Sequence, residues 1–415
     1  MKNLEGKRLI WVLISVILIR LYLTLLPSFH IDMNSWQAWS ARITEVTPIH
    51  FYAPNYFADY FPGYLYILWF LGKSFTLVHL SIFSTAFEFY LKFFTNIFDL
   101  ATAYYIYKIV INYKKSLALL AAVFYLANPA LAFNSSIWGQ VDGILTFFLV
   151  YSAYNLLELR KTYRFSVSFT LSTLTKPQGL AIFPVLLTYL ITNFNYKKYF
   201  SLLLIPILLT IMSLPFFLKD PILGLFHLFQ KSANTYPYTS MFSYNFWSFA
   251  GWWVSDANKF LGVTYQLWGV ALYLLSLIFI LIPLFAKKGY KNNFLIYFAC
   301  ALAIFAFFLF LTRIHQRYLF PFFAFLLIIA LIKNSLKLKF MYLFLSLIHF
   351  INLWFVYYYY NFVYGDSQYA SFFIYKFLST NYNLFTFLNL LGFGILLLMY
   401  YKFIYDKNGN VQKIS

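Results

Sequence analysis

Long apolar runs separated by short polar stretches recur along the chain from residue 8 to residue 403. The first, Arg8–Leu26 (RLIWVLISVILIRLYLTLL), is long enough to cross a bilayer, which takes about 18–20 apolar residues. It follows Met1–Lys7 without a small-residue cleavage site and is too long for a signal core, so a retained span is expected. The same pattern places spans over 8–27, 86–110, 116–133, 141–158, 164–175 extending toward 177, 180–194, 199–217, 262–285, 292–311, 318–333, 339–361 and 383–403. The pair around Lys176 is short, as in tilted or broken spans. The runs do not alternate as barrel strands of about ten residues would, and lipid then leaves helices as the only spanning form. The expectation is an all-α polytopic membrane protein of about 12 transmembrane helices, one domain over 1–415, with no soluble domain.

The segment Pro62–Leu80 is apolar enough to insert, but Lys73 interrupts it. Charge decides its fate. If it lies flat, the clusters Lys108, Lys114 and Lys115; Arg160, Lys161 and Arg164; Lys197 and Lys198; Lys287, Lys288 and Lys291; Lys333, Lys337 and Lys339; and Lys402, Lys407 and Lys413 share one side with Lys2, Lys7 and Arg8. If it spans, the clusters from Lys114 to Lys339 move away from the N-terminus, against the positive-inside rule. An interfacial helix is therefore expected at 62–80, with both termini cytoplasmic. Two long outer loops follow, 28–85 and about 218–262.

Composition agrees. Hydrophobic residues make up 62% and charged residues 10%, with mean hydropathy +0.71; a soluble domain carries about 25% charged residues. A net charge of +19 would suggest nucleic acid in a soluble protein. Here the basic residues are spread in twos and threes between apolar runs, which fits topology and anionic headgroups instead of nucleic acid. The single Cys300 allows no intramolecular disulfide. There is no Gly-rich phosphate loop and no Cys/His metal cluster.

The acids are few and unevenly placed. Asp32, Glu45 and Asp59 fall in the first outer loop, and Asp142, Asp220, Asp256 and Asp366 are also expected outside. Only Glu5, Glu158 and Asp406 are expected inside. Asp99, within a span, is the most expensive, since an acid at the bilayer centre costs about 2.5–3.5 kcal/mol or more. It is expected to pair with a base. Lys92 is two turns up the same helix face, too far to pair directly but able to face one common cavity with it. Lys176, Arg313 and Arg317 are expected at outer span ends, with His315 between the last two. Acids and cations in one outer cavity suit transfer from an anionic leaving group: a carboxylate takes the proton of an attacking hydroxyl, and cations hold the departing phosphate.

Each residue also has a plainer reading. Asp59 could N-cap the helix that Pro62 opens, and Asp142 could cap its own span. Trp138 could be an interface anchor. Lys92 and Asp99 could form a structural polar network, Lys176 could snorkel, and His315 and Arg317 could touch headgroups. Glu88 and Lys73 read as interfacial only.

The sequence resembles the GT-C superfamily of polytopic glycosyltransferases, and within it the bacterial and archaeal relatives of the GPI-anchor mannosyltransferases. The likeness covers most of the chain. It rests on Asp32 with Trp36 and Trp39; Asp59–Tyr64 (DYFPGY); Lys92 and Asp99; Asn128-Pro129; Trp138-Gly139-Gln140-Val141-Asp142; Lys176-Pro177-Gln178; Asn245-Phe246-Trp247; and His315-Gln316-Arg317-Tyr318-Leu319-Phe320-Pro321. Gln316 stands where the family pattern has Glu, which weakens any acidic role there and keeps His315 and Arg317. The resemblance implies an isoprenoid-phosphate sugar donor, a hexose (mannose by this likeness), a lipid-linked or cell-surface glycan acceptor, and an outward-facing site. It implies Asp32 as the general base or acceptor-positioning acid. Asp59, Lys92, Asp99, Gln140, Asp142, Lys176, Gln178, His315 and Arg317 become substrate-binding candidates. A divalent cation held by Asp32 and Asp59 with waters stays open.

Two other functions fit the composition. A transporter or flippase would carry internal repeats and broken spans at the midplane; Pro206 and Pro283 interrupt spans, but no paired repeat is evident. A surface-polysaccharide polymerase or ligase would differ mainly in its donor and acceptor.

Overall fold

The computed structural model describes residues 2–193, 196–286 and 288–405. Its helices, in chain order, are α1 Lys2–Leu23, α2 His30–Val46, α3 Pro62–Leu77, α4 Thr85–Ile111, α5 Ala118–Leu126, α6 Pro129–Ala132, α7 Asp142–Ala153, α8 Thr162–Thr175, α9 Phe183–Thr192, α10 Tyr196–Tyr199, α11 Leu204–Ser213, α12 Pro221–Asn234, α13 Tyr265–Ala286, α14 Asn293–Phe310, α15 Phe320–Ile332, α16 Leu336–Tyr358 and α17 Phe373–Tyr405. Two short strands, β1 Lys259–Phe260 and β2 Val263–Thr264, pair antiparallel. The class is all-α, as the apolar runs require.

Burial sorts the helices. α15 is apolar all round and buried from Phe320 to Ile332, and α14 is nearly as enclosed. Helices of that kind sit at a bundle centre. α1 exposes Trp11, Leu18 and Tyr22, and α13 exposes Leu267, Leu274 and Ile282. Apolar faces of that extent are stable against lipid, not water.

Among the described residues, four helices are long and apolar enough to cross a bilayer: Tyr265–Phe285, Asn293–Phe310, Leu336–Val363 and Phe373–Tyr405. Lys115–Leu126 and Pro129–Trp138, bent by 47°, make a fifth if they act together. This is fewer than the twelve expected. The other expected spans contain helices, but α4 carries Glu88, Lys92, Asp99 and Lys108, and α8 ends after 14 residues. α9 and α11 run only 10 residues each. Lys287, Asp406, Lys407 and Lys413 lie outside the described residues.

The two expected loops are structured. Residues 28–85 contain α2 and α3, and residues 218–262 contain α12, β1 and the turn before β2. α3 starts with Pro62, whose fixed φ suits a first helical turn. Its N-cap is Phe61 and no side chain caps it, so Asp59 is not a cap. Val141 is the N-cap of α7, again without a side-chain bond, so Asp142 is not one either.

Candidate functional site

Asp32 lies in the first turn of α2 and is half-buried. Its partners come from the bent segment that follows α5. Pro129 cannot continue the preceding helix, and Asn128 caps the new one by accepting from the backbone N–H groups of Ala130 and Leu131. A π-helical stretch, Phe133–Trp138, then ends at Gly139, whose φ of +89° suits glycine. That turn brings Trp138 and Gln140 onto one carboxylate oxygen. The Trp138 indole donates to Asp32 Oδ2 at 2.7 Å, and Gln140 Nε2 donates to the same oxygen.

Behind Gln140 the network continues. Lys176 Nζ donates to Gln140 Oε1 at 3.2 Å and to Asp142 Oδ1 at 2.6 Å. Asn134 Nδ2 reaches the other oxygen of Asp142 at 3.3 Å. Lys176 sits in extended backbone (φ −151°) at the break between α8 and the 3-10 turn Pro177–Ile182. Both members of the Lys176–Asp142 pair are almost fully buried, with side-chain exposures of 4% and 2%.

These residues border a cavity of about 490 Å³. Asp32, Asp59, Lys176, Gln178, His315 and Arg317 line it. Gln140 and Asp142 stand behind its wall, joined to Asp32 and Lys176 by the bonds above. Trp36, Trp39, Tyr60, Tyr236, Trp253 and Tyr360 supply much of the remaining surface. Broad aromatic faces with a few convergent polar groups are the usual make-up of a ligand pocket.

The far wall is residues 311–318. Arg313 Nε donates to Asp256 Oδ2 at 2.7 Å, and its Nη1 donates to Asn234 Oδ1 and the Ala233 carbonyl. This ties the wall to α12 and to the loop after it. Trp247 Nε1 donates to the Phe310 carbonyl at 2.6 Å and Asn245 Nδ2 to that of Leu311 at 3.4 Å, so both brace the wall instead of lining the cavity.

Arg317 differs from the other two cations. The ion pairs among the described residues are Arg20–Asp99, Lys176–Asp142 and Arg313–Asp256. Arg317 has a 3.3 Å contact from Nη1 to His315 Nδ1 and lies 5.8 Å from the centre of the Tyr318 ring, and its buried Nε has no partner. Gln178 Oε1 is likewise buried and unpartnered. A guanidinium with unused donors at a cavity wall has the chemistry to receive an anion. Burial and the neighbouring Arg317 and Lys176 charges hold the His315 imidazole well below its ordinary pKa, so it is neutral and free to accept from Arg317. Asp59 is pushed up to about 6, chiefly by burial, with Arg317 opposing the rise and Asp32 adding to it.

The structure separates the remaining candidates from this cavity. Asp99 pairs with Arg20 of α1, not with anything near Asp32. Arg20 Nε also donates to Asn96 Oδ1 at 2.9 Å and Nη1 to the Leu126 carbonyl at 3.0 Å. Lys92 donates to the Leu26 carbonyl at 2.7 Å and lines a different cavity. Neither described cavity holds Lys92 and Asp99 together: two turns of helix align the side chains, yet α1 inserts Arg20 against the lower one. The signal for Arg20 is in the sequence: a lone Arg inside an apolar run points to a buried partner.

No three or more His, Cys, Asp or Glu side chains are grouped as metal ligands among the described residues. Asp32 and Asp59 alone fall short of the six to eight oxygens of a dedicated calcium cage. No protein-family model matches the sequence, and no curated protein matches it.

Proposed function

We propose that this chain is an inverting membrane glycosyltransferase of the GT-C kind, moving a hexose from a polyprenyl- or dolichyl-phosphate sugar to a lipid-linked or cell-surface glycan. The observation that carries the reading is one cavity with an oriented carboxylate, Asp32, and a buried guanidinium without a carboxylate partner, Arg317. Trp138 and Gln140 both occupy Oδ2, leaving Oδ1 of Asp32 to take the proton from the acceptor hydroxyl. The hydroxyl oxygen attacks the anomeric carbon as the bond to the donor phosphate breaks. The freed phosphate carries the electron pair away and meets the donors of Arg317. Attack opposite the leaving group inverts the anomeric configuration. The aromatic walls suit sugar faces and an isoprenoid tail.

The reading includes about 12 spans, cytoplasmic termini and an outward-facing cavity, supported by the segregation of basic clusters. Location in a cell membrane is consistent with the four to five candidate spans. A transporter remains the second reading, because a buried Arg–Asp pair inside a helical bundle is a common feature of transport pathways.

The test uses purified full-length protein, radiolabelled polyprenyl-phosphate mannose and a membrane lipid extract. Label should move to an acceptor with the wild type and fall by orders of magnitude with Asp32→Asn. Undiminished transfer in the variant removes Asp32 as base. No transfer from any isoprenoid-phosphate sugar turns the assignment toward transport.

A further inference from the structure

A second cavity, about 730 Å³, opens on the other side of α2 between the end of α1 and the start of α4. Glu88 and Lys92 both line it. They are four residues apart on α4, the spacing at which a Glu and a Lys share one helix face and pair. A partly desolvated setting strengthens that attraction. Yet the pair is open. Ser28 Oγ donates to Glu88 Oε2 at 2.7 Å, and Lys92 Nζ donates to the Leu26 carbonyl at 2.7 Å. Each charge is pinned to the 24–28 connector instead of to the other.

Lys92 is 1% exposed and has no carboxylate within 4.0 Å among the described ion pairs. An ammonium has three donors, and one is used. A buried ammonium that makes no ion pair is costly, so a ligand that supplies an anionic partner is favoured. A simple anion would meet Glu88, and a simple cation would meet Lys92. A zwitterion satisfies both. The rim is apolar: Leu25 is 66% exposed and Phe89 36%. Charged floor and apolar rim together describe an amphiphile.

We infer that this cavity binds a bilayer lipid whose headgroup joins a phosphate to a primary ammonium, Lys92 holding the phosphate and Glu88 the ammonium. A primary ammonium can donate to the Glu88 carboxylate; a quaternary one has no N–H and favours aromatic cages. The site is separate from the Asp32 cavity and does not depend on the transferase reading.

The test is lipid retention by the full-length chain, measured by native mass spectrometry after exchange into detergent with phosphatidylethanolamine, phosphatidylglycerol or phosphatidylcholine. The wild type should retain phosphatidylethanolamine roughly tenfold over the other two, the ratio expected for one hydrogen bond to a charged group. Glu88→Gln still accepts from Ser28 and should fold, but should lose the preference over phosphatidylglycerol. Lys92→Met should lose retention of all three. Equal or absent retention by the wild type, or an undiminished preference in Glu88→Gln, overturns the proposal. If Lys92→Met fails to fold, Glu88→Gln decides alone.

Discussion

The Trp138 indole and the Asp32 carboxylate are joined by a 2.7 Å hydrogen bond across 106 residues of chain. A hydrogen bond to a charged group contributes about 1.5–3 kcal/mol. Trp138→Phe keeps the ring and removes the donor. It should lower kcat/KM for hexose transfer about 10- to 100-fold and lower the melting temperature by a few degrees, since the same bond contributes to folding. Initial rates and a melt on the same preparation check this. Full activity in Trp138→Phe would show that Gln140 alone orients Asp32.

The Asp59 carboxyl gives a pH signature. Its pKa is about 6 in the folded chain, against 3.8 ordinarily. The folded state therefore holds this proton more tightly than the unfolded state, so the Asp59 contribution to stability falls as pH rises from about 4 to 6 and is level above that. The difference in melting temperature between wild type and Asp59→Asn should change across that window. Arg317→Met should shift the change to higher pH, because Arg317 opposes the rise, and Asp32→Asn should shift it lower. A difference that does not vary with pH would show that Asp59 is solvated.

Lys176 and Asp142 are a buried pair at 2.6 Å. Removing one partner of such a pair leaves an uncompensated charge and costs about 3–5 kcal/mol. Lys176→Met should lower the melting temperature sharply, and Lys176→Met with Asp142→Leu should recover most of it. Transfer should stay low in the double variant, because Gln140 Oε1 also loses its donor. Recovery of both stability and transfer would make the pair purely structural.

The helical class was legible in the apolar runs, and acids and cations were expected to share one cavity, as Asp32, Asp59, Lys176 and Arg317 do. What could not be read is which partner each charge takes. Lys92 and Asp99 share a helix face, but a face does not define a partner: Arg20, 79 residues before Asp99, takes that carboxylate. Asp59 and Asp142 stand where caps often stand, yet Asp142 pairs with Lys176 and Asp59 lines the cavity. Arg313 looked equivalent to Arg317, yet Asp256, 57 residues away, neutralises only Arg313. Such pairings depend on contacts distant in sequence, which periodicity does not encode.

Gly139 sits between Trp138 and Gln140 with φ +89°. A Cβ there would lie 2.7 Å from Met33 Cε and 3.3 Å from Lys92 Cγ. An L-residue in this region of backbone space costs about 1–2 kcal/mol before any clash. The Met33 terminus can move aside, but the turn then shifts the two donors that hold Asp32. Gly139→Ala should therefore reduce transfer far more than it reduces stability. Gly262 makes the control: it has φ +79° in the β1–β2 turn, and an added Cβ would meet nothing within 4 Å. Gly262→Ala should show the strain in a melt and leave transfer unchanged. If both variants lose stability alone, the Gly139 turn does not govern the Asp32 geometry, and the orientation of the carboxylate must come from α2 itself.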